Sequence, residues 1–158
     1  MSPPIFHIVL IEPEIPQNTG TIGRMCLAVG AKLHLIKPLA FDIDEKAVRR
    51  AGLDYWKFID LEVHESIEEF FKTVPMDAQK IFVETQRDRT IYDVKFQRGS
   101  YLFFGKETSG IPKPLLETYS ADIASIPMFD DRVRSLNLSN CASIVAYEAV
   151  RQLQLARE

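Results

Sequence analysis

Arg134-Ser-Leu-Asn-Leu-Ser-Asn140 strings five hydrogen-bonding side chains around two leucines, directly before a long apolar segment. Capping a helix takes one Ser or Asn, or two. The surplus at Arg134, Ser135, Asn137, Ser139 and Asn140 describes a loop built to hold something. Two more segments share that character: Asn18-Thr-Gly-Thr-Ile-Gly-Arg24 and Phe104-Gly-Lys-Glu-Thr-Ser-Gly110. After the first of them, Gln17, Gly20, Thr21, Arg24 and Ala28 share one helix face. That face is small apart from a guanidinium, a forked cationic donor suited to phosphate. The start of the same helix adds unpaired N–H groups and partial positive charge. In the second segment, Gly105 follows an apolar strand and lets a ligand approach the backbone, and Glu107 is the only carboxylate in the turn. Ile126-Pro127, after a further strand, belongs with the third. Each segment also has a purely structural reading: Asn18 as a cap, Glu107 as a surface acid, Asn137 or Ser139 as the N-cap of the last helix. A dinucleotide fingerprint does not fit, because Gly20-x-x-Gly23 lacks the G-x-G-x-x-G pattern and Lys37-Pro38 end the second strand without an acid.

The elements that must carry these loops alternate between two periods. Ile5–Ile11 is an apolar run of strand length, interrupted only by His7, and Leu33–Ile36, Lys80–Glu84, Tyr101–Phe104 and Asp122–Ile126 read as further strands. Helices are predicted at about Asn18–Val29, Asp42–Arg50, Glu65–Lys72, Pro112–Tyr119 and Leu138–Ala156. Ile22, Met25, Cys26 and Val29 form the apolar face of the first, and Gly30 is its stop. Strands alternating with helices imply an α/β fold, with a mostly parallel sheet flanked by helices. Ligands in such folds bind at strand ends, where all three polar segments fall.

At 158 residues, with 46% hydrophobic and 26% charged side chains, one domain spanning 1–158 is expected. No apolar run reaches the roughly 18–20 residues that span a bilayer, and Met-Ser-Pro-Pro lacks the basic start of a signal peptide. Two isolated cysteines, Cys26 and Cys141, suit a reducing, cytoplasmic setting. A net charge of −3 and a pI near 5.7 argue against a general nucleic-acid coat but leave room for a local basic face. His7, His34 and His64 show no metal-ligand spacing with one another or with the cysteines, so no metal is expected.

Taken together, Asn18–Arg24, Phe104–Gly110, and Ile126-Pro127-Met128 with Arg134–Asn140 resemble the three motifs of the SpoU branch of the SPOUT RNA methyltransferases. The block Arg49-Arg-Ala-Gly-Leu-Asp-Tyr-Trp56 is similar to the small single-domain subgroup that 2′-O-methylates the wobble nucleotide, cytidine or uridine, of certain leucine tRNAs. The resemblance covers essentially the whole chain. It implies a C-terminal deep trefoil knot, a homodimer, and S-adenosylmethionine held largely by backbone groups near Glu84, Gly105, Ile126, Ser135 and Leu136. It casts Arg24 as the catalytic residue, with Asn18, Glu107 and Asn137 beside it as orienting groups. A guanidinium keeps its proton at physiological pH, so clamping a phosphate and stabilising a developing alkoxide suit Arg24 better than acting as a base. Arg49, Arg50, Tyr55, Trp56 and Arg134 are the expected contacts to tRNA, the two aromatics by stacking. Core or interface packing is the competing reading for Tyr55 and Trp56. In the last helix, Ala142, Ala146, Ala149 and Leu153 form a stripe that suits either core packing or a subunit boundary, with Cys141, Val145 and Leu155 adding apolar area. The rival functions are a ribosomal RNA methyltransferase of the same family and a non-catalytic RNA-binding dimer.

Overall fold

The computed structural model describes residues 2–155, with only the backbone for Gly52, Leu53 and Asp54. The expected helix end at Ala156 lies outside them. Six strands form one sheet: β1 (His7–Ile11), β2 (Lys32–Ile36), β3 (Leu61–His64), β4 (Lys80–Val83), β5 (Tyr101–Phe104) and β6 (Ile123–Ala124). Their order is β3-β2-β1-β5-β4-β6, and every pairing is parallel. Parallel neighbours need crossover connections, which α1 (Pro16–Val29), α2 (Lys46–Gly52), α3 (Ile67–Phe71), α4 (Lys113–Thr118) and short 3-10 turns help to supply; α5 (Leu138–Val150) follows β6.

The two central strands are buried on both faces and read as continuous apolar runs, as such strands do. Alternation along them divides the core. Ile8, Leu10, Leu33, Leu102 and Phe104 face α1 and α5 through Ile22, Met25, Cys26, Ala142 and Ala146. Val9, Ile11, Phe82, Tyr101 and Phe103 face the other way, onto Phe70 of α3 and the half-buried Leu115 and Leu116 of α4. Full burial of a side chain such as Phe70 is worth about 1.5–3 kcal/mol. Pro16 opens α1 and Gly30 closes it in the left-handed region at φ 80°, its N–H donating to Cys26 O. The first helix therefore begins two residues before the expected Asn18.

Other boundaries differ for local reasons. The Asp42 carboxylate accepts the Asp44 N–H at 2.9 Å, a side-chain turn that competes with helix, so α2 starts at Lys46. Strand β3 is absent from the sequence-based elements. It is a four-residue edge strand with Glu62 exposed, too short and too mixed for its period to stand out. After Ala124, Ser125 takes up an isolated bridge with Thr90, which shortens β6. Beyond Val150 the helix widens into a π-turn over Arg151–Leu155, where the Gln152 side chain accepts Phe96 N–H and donates to Val94 O, both at 2.9 Å. Ala142, Ala146 and Ala149 are fully buried within this subunit, and α5 packs on α1. The small-residue stripe thus lets two helices of one chain approach and is not available to a partner. Among the described residues no helix is long and apolar enough to cross a membrane.

Candidate active site

All six strands run parallel, so their C-terminal ends share one edge. The order reverses between β1 and β5, and ligands bind at such points. The loops leaving those two strands meet through Glu107. One oxygen of its carboxylate accepts the Glu14 N–H at 3.0 Å. The other accepts the Ile15 N–H at 2.6 Å and Asn18 Nδ2 at 3.3 Å. A carboxylate only accepts, so the Asn18 amide must turn its NH2 toward Glu107 and its oxygen away. That oxygen accepts Asn137 Nδ2 at 3.2 Å. Asn137 Oδ1 is then left to cap α5, accepting the Ser139 N–H at 2.8 Å. Three distant segments are fixed in one polarity by this relay. Glu14 answers from the other side: its carboxylate accepts the Thr108 hydroxyl at 2.7 Å and the Thr108 N–H at 3.0 Å. These bonds hold the Glu14 carboxyl below the usual carboxylate range. Asn18 is therefore no cap; it is buried in the first turn of α1. Asn137 is the N-cap, as one reading of the sequence had it.

Beside the relay lies a cavity of about 730 Å³. Glu84, Gly105, Ile126, Ser135 and Leu136 line it, and so do Asn18, Glu107, Asn137 and Arg134. Nine residues singled out from the sequence are brought together. Gly105 is needed for a reason other than ligand approach: a Cβ there would stand 2.0 Å from Gly110 C and 2.2 Å from Ile111 N. The loop after β5 folds back over its own first residue, with Gly110 N–H donating to Lys106 O at 2.9 Å. Glu84 secures the return, accepting the Thr85 N–H at 2.9 Å and the Ile111 N–H at 3.1 Å. Gln86, also in the wall, has φ 52°. For a non-glycine residue that costs about 1–3 kcal/mol and is found chiefly at functional sites. Cys141 lines the cavity too, its thiol pushed up to about 11 by burial. Glu14, Gln86 and Cys141 escaped the sequence reading. An acid between Pro13 and Pro16 was a signal for the first, and the others carried none.

The remaining five lie elsewhere. Arg24 is exposed on α1, about 9 Å along the axis from Asn18 at the helical rise, and is not in the cavity wall. Its guanidinium carbon sits 5.3 Å from the centroid of the Tyr55 ring. Trp56 is half-buried against α1: a Cβ on Gly23 would stand 3.0 Å from Trp56 Cζ3 and 2.8 Å from Ile59 Cδ1. Trp56 thus packs on α1, as the packing reading expects. Arg49 and Arg50 are exposed on α2, the former 3.5 Å from Asp44.

The histidines also correct the sequence reading. Parallel register places His7, His34 and His64 diagonally on one sheet face. His7 Nδ1 lies 2.8 Å from His34 Nε2, and His34 Nδ1 lies 2.9 Å from His64 Nε2. Three neutral imidazoles satisfy this chain in either direction, since each offers one donor and one acceptor. Burial first, then neighbouring charges, lowers His34 to about 2 and His7 to about 4. The ligand atoms of His34, Glu62 and His64 lie within 4.8 Å of one another, but both His34 nitrogens already bond histidines and Lys32 holds Glu62 at 2.9 Å. The three imidazoles thus form one continuous hydrogen-bond chain across β1, β2 and β3.

Residues 5–147 match the family described as the SpoU rRNA methylases. Over 154 residues the chain is 45% identical to the tRNA (cytidine(34)-2'-O)-methyltransferase of Yersinia pestis, covering 94% of each protein. It is 44% identical to that of Saccharophagus degradans, covering 96% of this chain and 98% of that one. A solved structure concerned with the 2-OH methylation of C/U34 on tRNA superposes with a TM-score of 0.92 at 40% identity, over 98% of this chain and 100% of the other. The SpoU methyltransferase AviRb from Streptomyces viridochromogenes, in complex with AdoMet, superposes with a TM-score of 0.87 at 25% identity, over 99% of this chain and 61% of that one.

Proposed function

The chain belongs to the SpoU methylase family, and from that premise we propose that it transfers a methyl group from S-adenosylmethionine to the ribose 2′-hydroxyl of the wobble nucleotide, cytidine or uridine, of tRNA. The observation that carries this reading is the convergence of three separate polar loops on one cavity through the Glu107–Asn18–Asn137 relay. The family description names ribosomal RNA, but relatives that match this chain nearly end to end are tRNA cytidine-34 enzymes, which favours tRNA. A binding-only protein would have no use for the cavity.

The walls suit the cofactor. About 730 Å³ falls within the range of small-molecule sites. Both signs of charge are present, Glu84, Glu107 and Asp131 against Lys106 and Arg134, as an amino acid carrying a sulfonium requires. Glu84, Gly105, Ile126, Ser135 and Leu136 would hold it, and when bound it supplies an electrophilic methyl carbon. The protein's task is then alignment, which contributes up to roughly 7–11 kcal/mol in favourable cases. The 2′-oxygen would gain the methyl group as the methyl–sulfur bond breaks and a neutral thioether leaves, the hydroxyl proton passing to water; Arg24 clamps a phosphate beside the acceptor ribose and stabilises the charge developing on that oxygen. The relay fixes the start of α1, the helix that carries Arg24.

Because Arg24 does not line its own subunit's cavity, the site is completed by a second copy. The exposed stripe Gln17, Thr21, Arg24 and Ala28 along α1 supports a homodimer in which that face reaches the neighbouring cavity. Membership of the SpoU family and the fold shared at a TM-score of 0.92 support the trefoil knot that the sequence resemblance implies for this single domain, the segment 134–141 returning to walls built by β4 and β5. Arg49, Arg50 and Arg134 serve the RNA backbone, and leucine isoacceptors are the substrate. The free cysteines suit the cytoplasm.

Incubation with labelled S-adenosylmethionine, a tRNA pool and ribosomal RNA, followed by nucleotide mapping, tests the reading. Label is expected at position 34 of leucine tRNAs; label confined to ribosomal RNA overturns it. Titration calorimetry showing no cofactor binding removes the enzyme altogether. Arg24→Ala should bind cofactor normally yet turn over at least about 100-fold more slowly, the scale of one lost charge-stabilising contact.

A further inference from the structure

We propose that Tyr55 is a positioning residue for Arg24: its ring face restrains the guanidinium while leaving the N–H fork unoccupied for the RNA backbone. The inference rests on the role given to Arg24 above. The 5.3 Å separation of guanidinium and ring centroid lies inside the ~6 Å reach of a cation–π contact. Among the described residues, no carboxylate lies within ion-pair distance of Arg24 and no protein group accepts a hydrogen bond from it. Other arginines are held differently. Arg151 makes a multiple contact with Glu148, Arg132 with Asp130, and Arg87 and Arg89 donate to carbonyl oxygens. Those partners occupy donors, and the carboxylates also offset the charge. An aromatic face does neither, because it meets the flat side of the guanidinium and leaves its edge open. A long side chain meant to seize a phosphate thus loses rotamer freedom without losing its binding capacity.

The ring is mounted firmly. Tyr55 belongs to the 3-10 turn Leu53–Phe58, which is pinned to α1 where Trp56 and Ile59 close on Gly23. Two adjacent residues of α1, Gly23 and Arg24, therefore meet two adjacent residues of the turn, Trp56 and Tyr55. One pair packs, and the other sets the guanidinium carbon over the ring. Tyr55 stays 45% exposed, so its role is distinguishable from core packing. It is equally distinguishable from stacking on a base.

The test compares Tyr55→Phe, Tyr55→Leu and Tyr55→Met in wild-type and Arg24→Ala backgrounds, by steady-state tRNA methylation, cofactor titration and side-chain NMR of arginine Nε–Hε groups. Tyr55→Phe should stay within about twofold of wild type. Tyr55→Leu and Tyr55→Met should lower kcat about fivefold to tenfold, the loss of one partly desolvated cation–π contact, with the KM for tRNA and cofactor affinity unchanged. Both should abolish the upfield ring-current shift of Arg24 Hε, and neither should add to the defect of Arg24→Ala. A wild-type kcat in the leucine and methionine variants overturns the proposal. So does a rise in KM alone, which assigns the ring to a base, or a loss additive with Arg24→Ala. Wild-type protein that leaves position 34 unmethylated overturns the function itself, whereas a normal Tyr55→Leu enzyme overturns only the role of Tyr55.

Discussion

Glu107 shows how little a residue type says until its partners are known. In the sequence it is one acid in a turn. In the fold it accepts from two backbone amides and one side-chain amide, which makes it a fastener of loops and leaves it poorly placed to move protons. Glu107→Gln brings an NH2 group against those donors, leaving at least one of them without its acceptor, at about 1 kcal/mol for a partly buried group. We expect weaker cofactor binding by calorimetry and at least about tenfold lower turnover; wild-type values would remove Glu107 from the relay. Gly105 makes a sharper case. A methyl group 2.0 Å from Gly110 C cannot be relieved by a rotamer change, because its neighbours are backbone. Gly105→Ala should cost at least about 2–3 kcal/mol, as severe overpacking does, and should abolish cofactor binding. A folded variant with normal stability in urea and normal affinity would contradict the geometry.

At the scale of elements, the helix starts are where structure and site are joined. Asn137 caps α5 with its oxygen and reaches Asn18 with its nitrogen, two tasks that substitution can separate. Asn137→Ala loses both and should cost about 1 kcal/mol from the cap alone. Asn137→Asp still caps, but sets an acceptor against the Asn18 oxygen. We therefore predict that Asn137→Asp melts near wild type yet shows a cofactor-binding defect as large as that of Asn137→Ala. Equal melting temperatures for the two variants would show that the cap contributes nothing. The same economy marks the meeting of α1 with the 3-10 turn, where Gly23 admits Trp56 and thereby places Tyr55.

Across the whole molecule, the three histidines link strands β1, β2 and β3, with His34 and His64 buried and His7 half-buried. Desolvation depresses His34 to about 2 and His7 to about 4. The unfolded chain then takes up protons that the folded chain refuses, so stability is complete above about pH 6.5 and falls as the pH drops below it. Each such group contributes a slope of about 1.4 kcal/mol per pH unit in that window. Urea unfolding at pH 7.5, 6.0 and 5.0 should show this loss, and His34→Gln should flatten the slope by about one proton. An unchanged slope in that variant would mean that His34 titrates normally in the fold.

The amino-acid sequence determined the two central strands, the α/β alternation, the stop at Gly30 and the three polar loops, because burial on one face or two imposes a period that local residue order records. It also marked nine of the residues that line the cavity: Asn18, Gly105, Glu107, Arg134, Ser135 and Asn137 through their polar, small-residue loops, and Glu84, Ile126 and Leu136 through the family resemblance. Tertiary structure alone decided their partners. Glu14 and Glu107 are 93 positions apart, Asn18 and Asn137 are 119 apart, and the histidine chain exists only through the register of three parallel strands. The contact of Trp56 with Gly23 and the use of the α5 alanine stripe within one subunit were decided the same way. Periodicity tells which side of an element is covered, but what covers it is set by contacts between segments far apart in the chain.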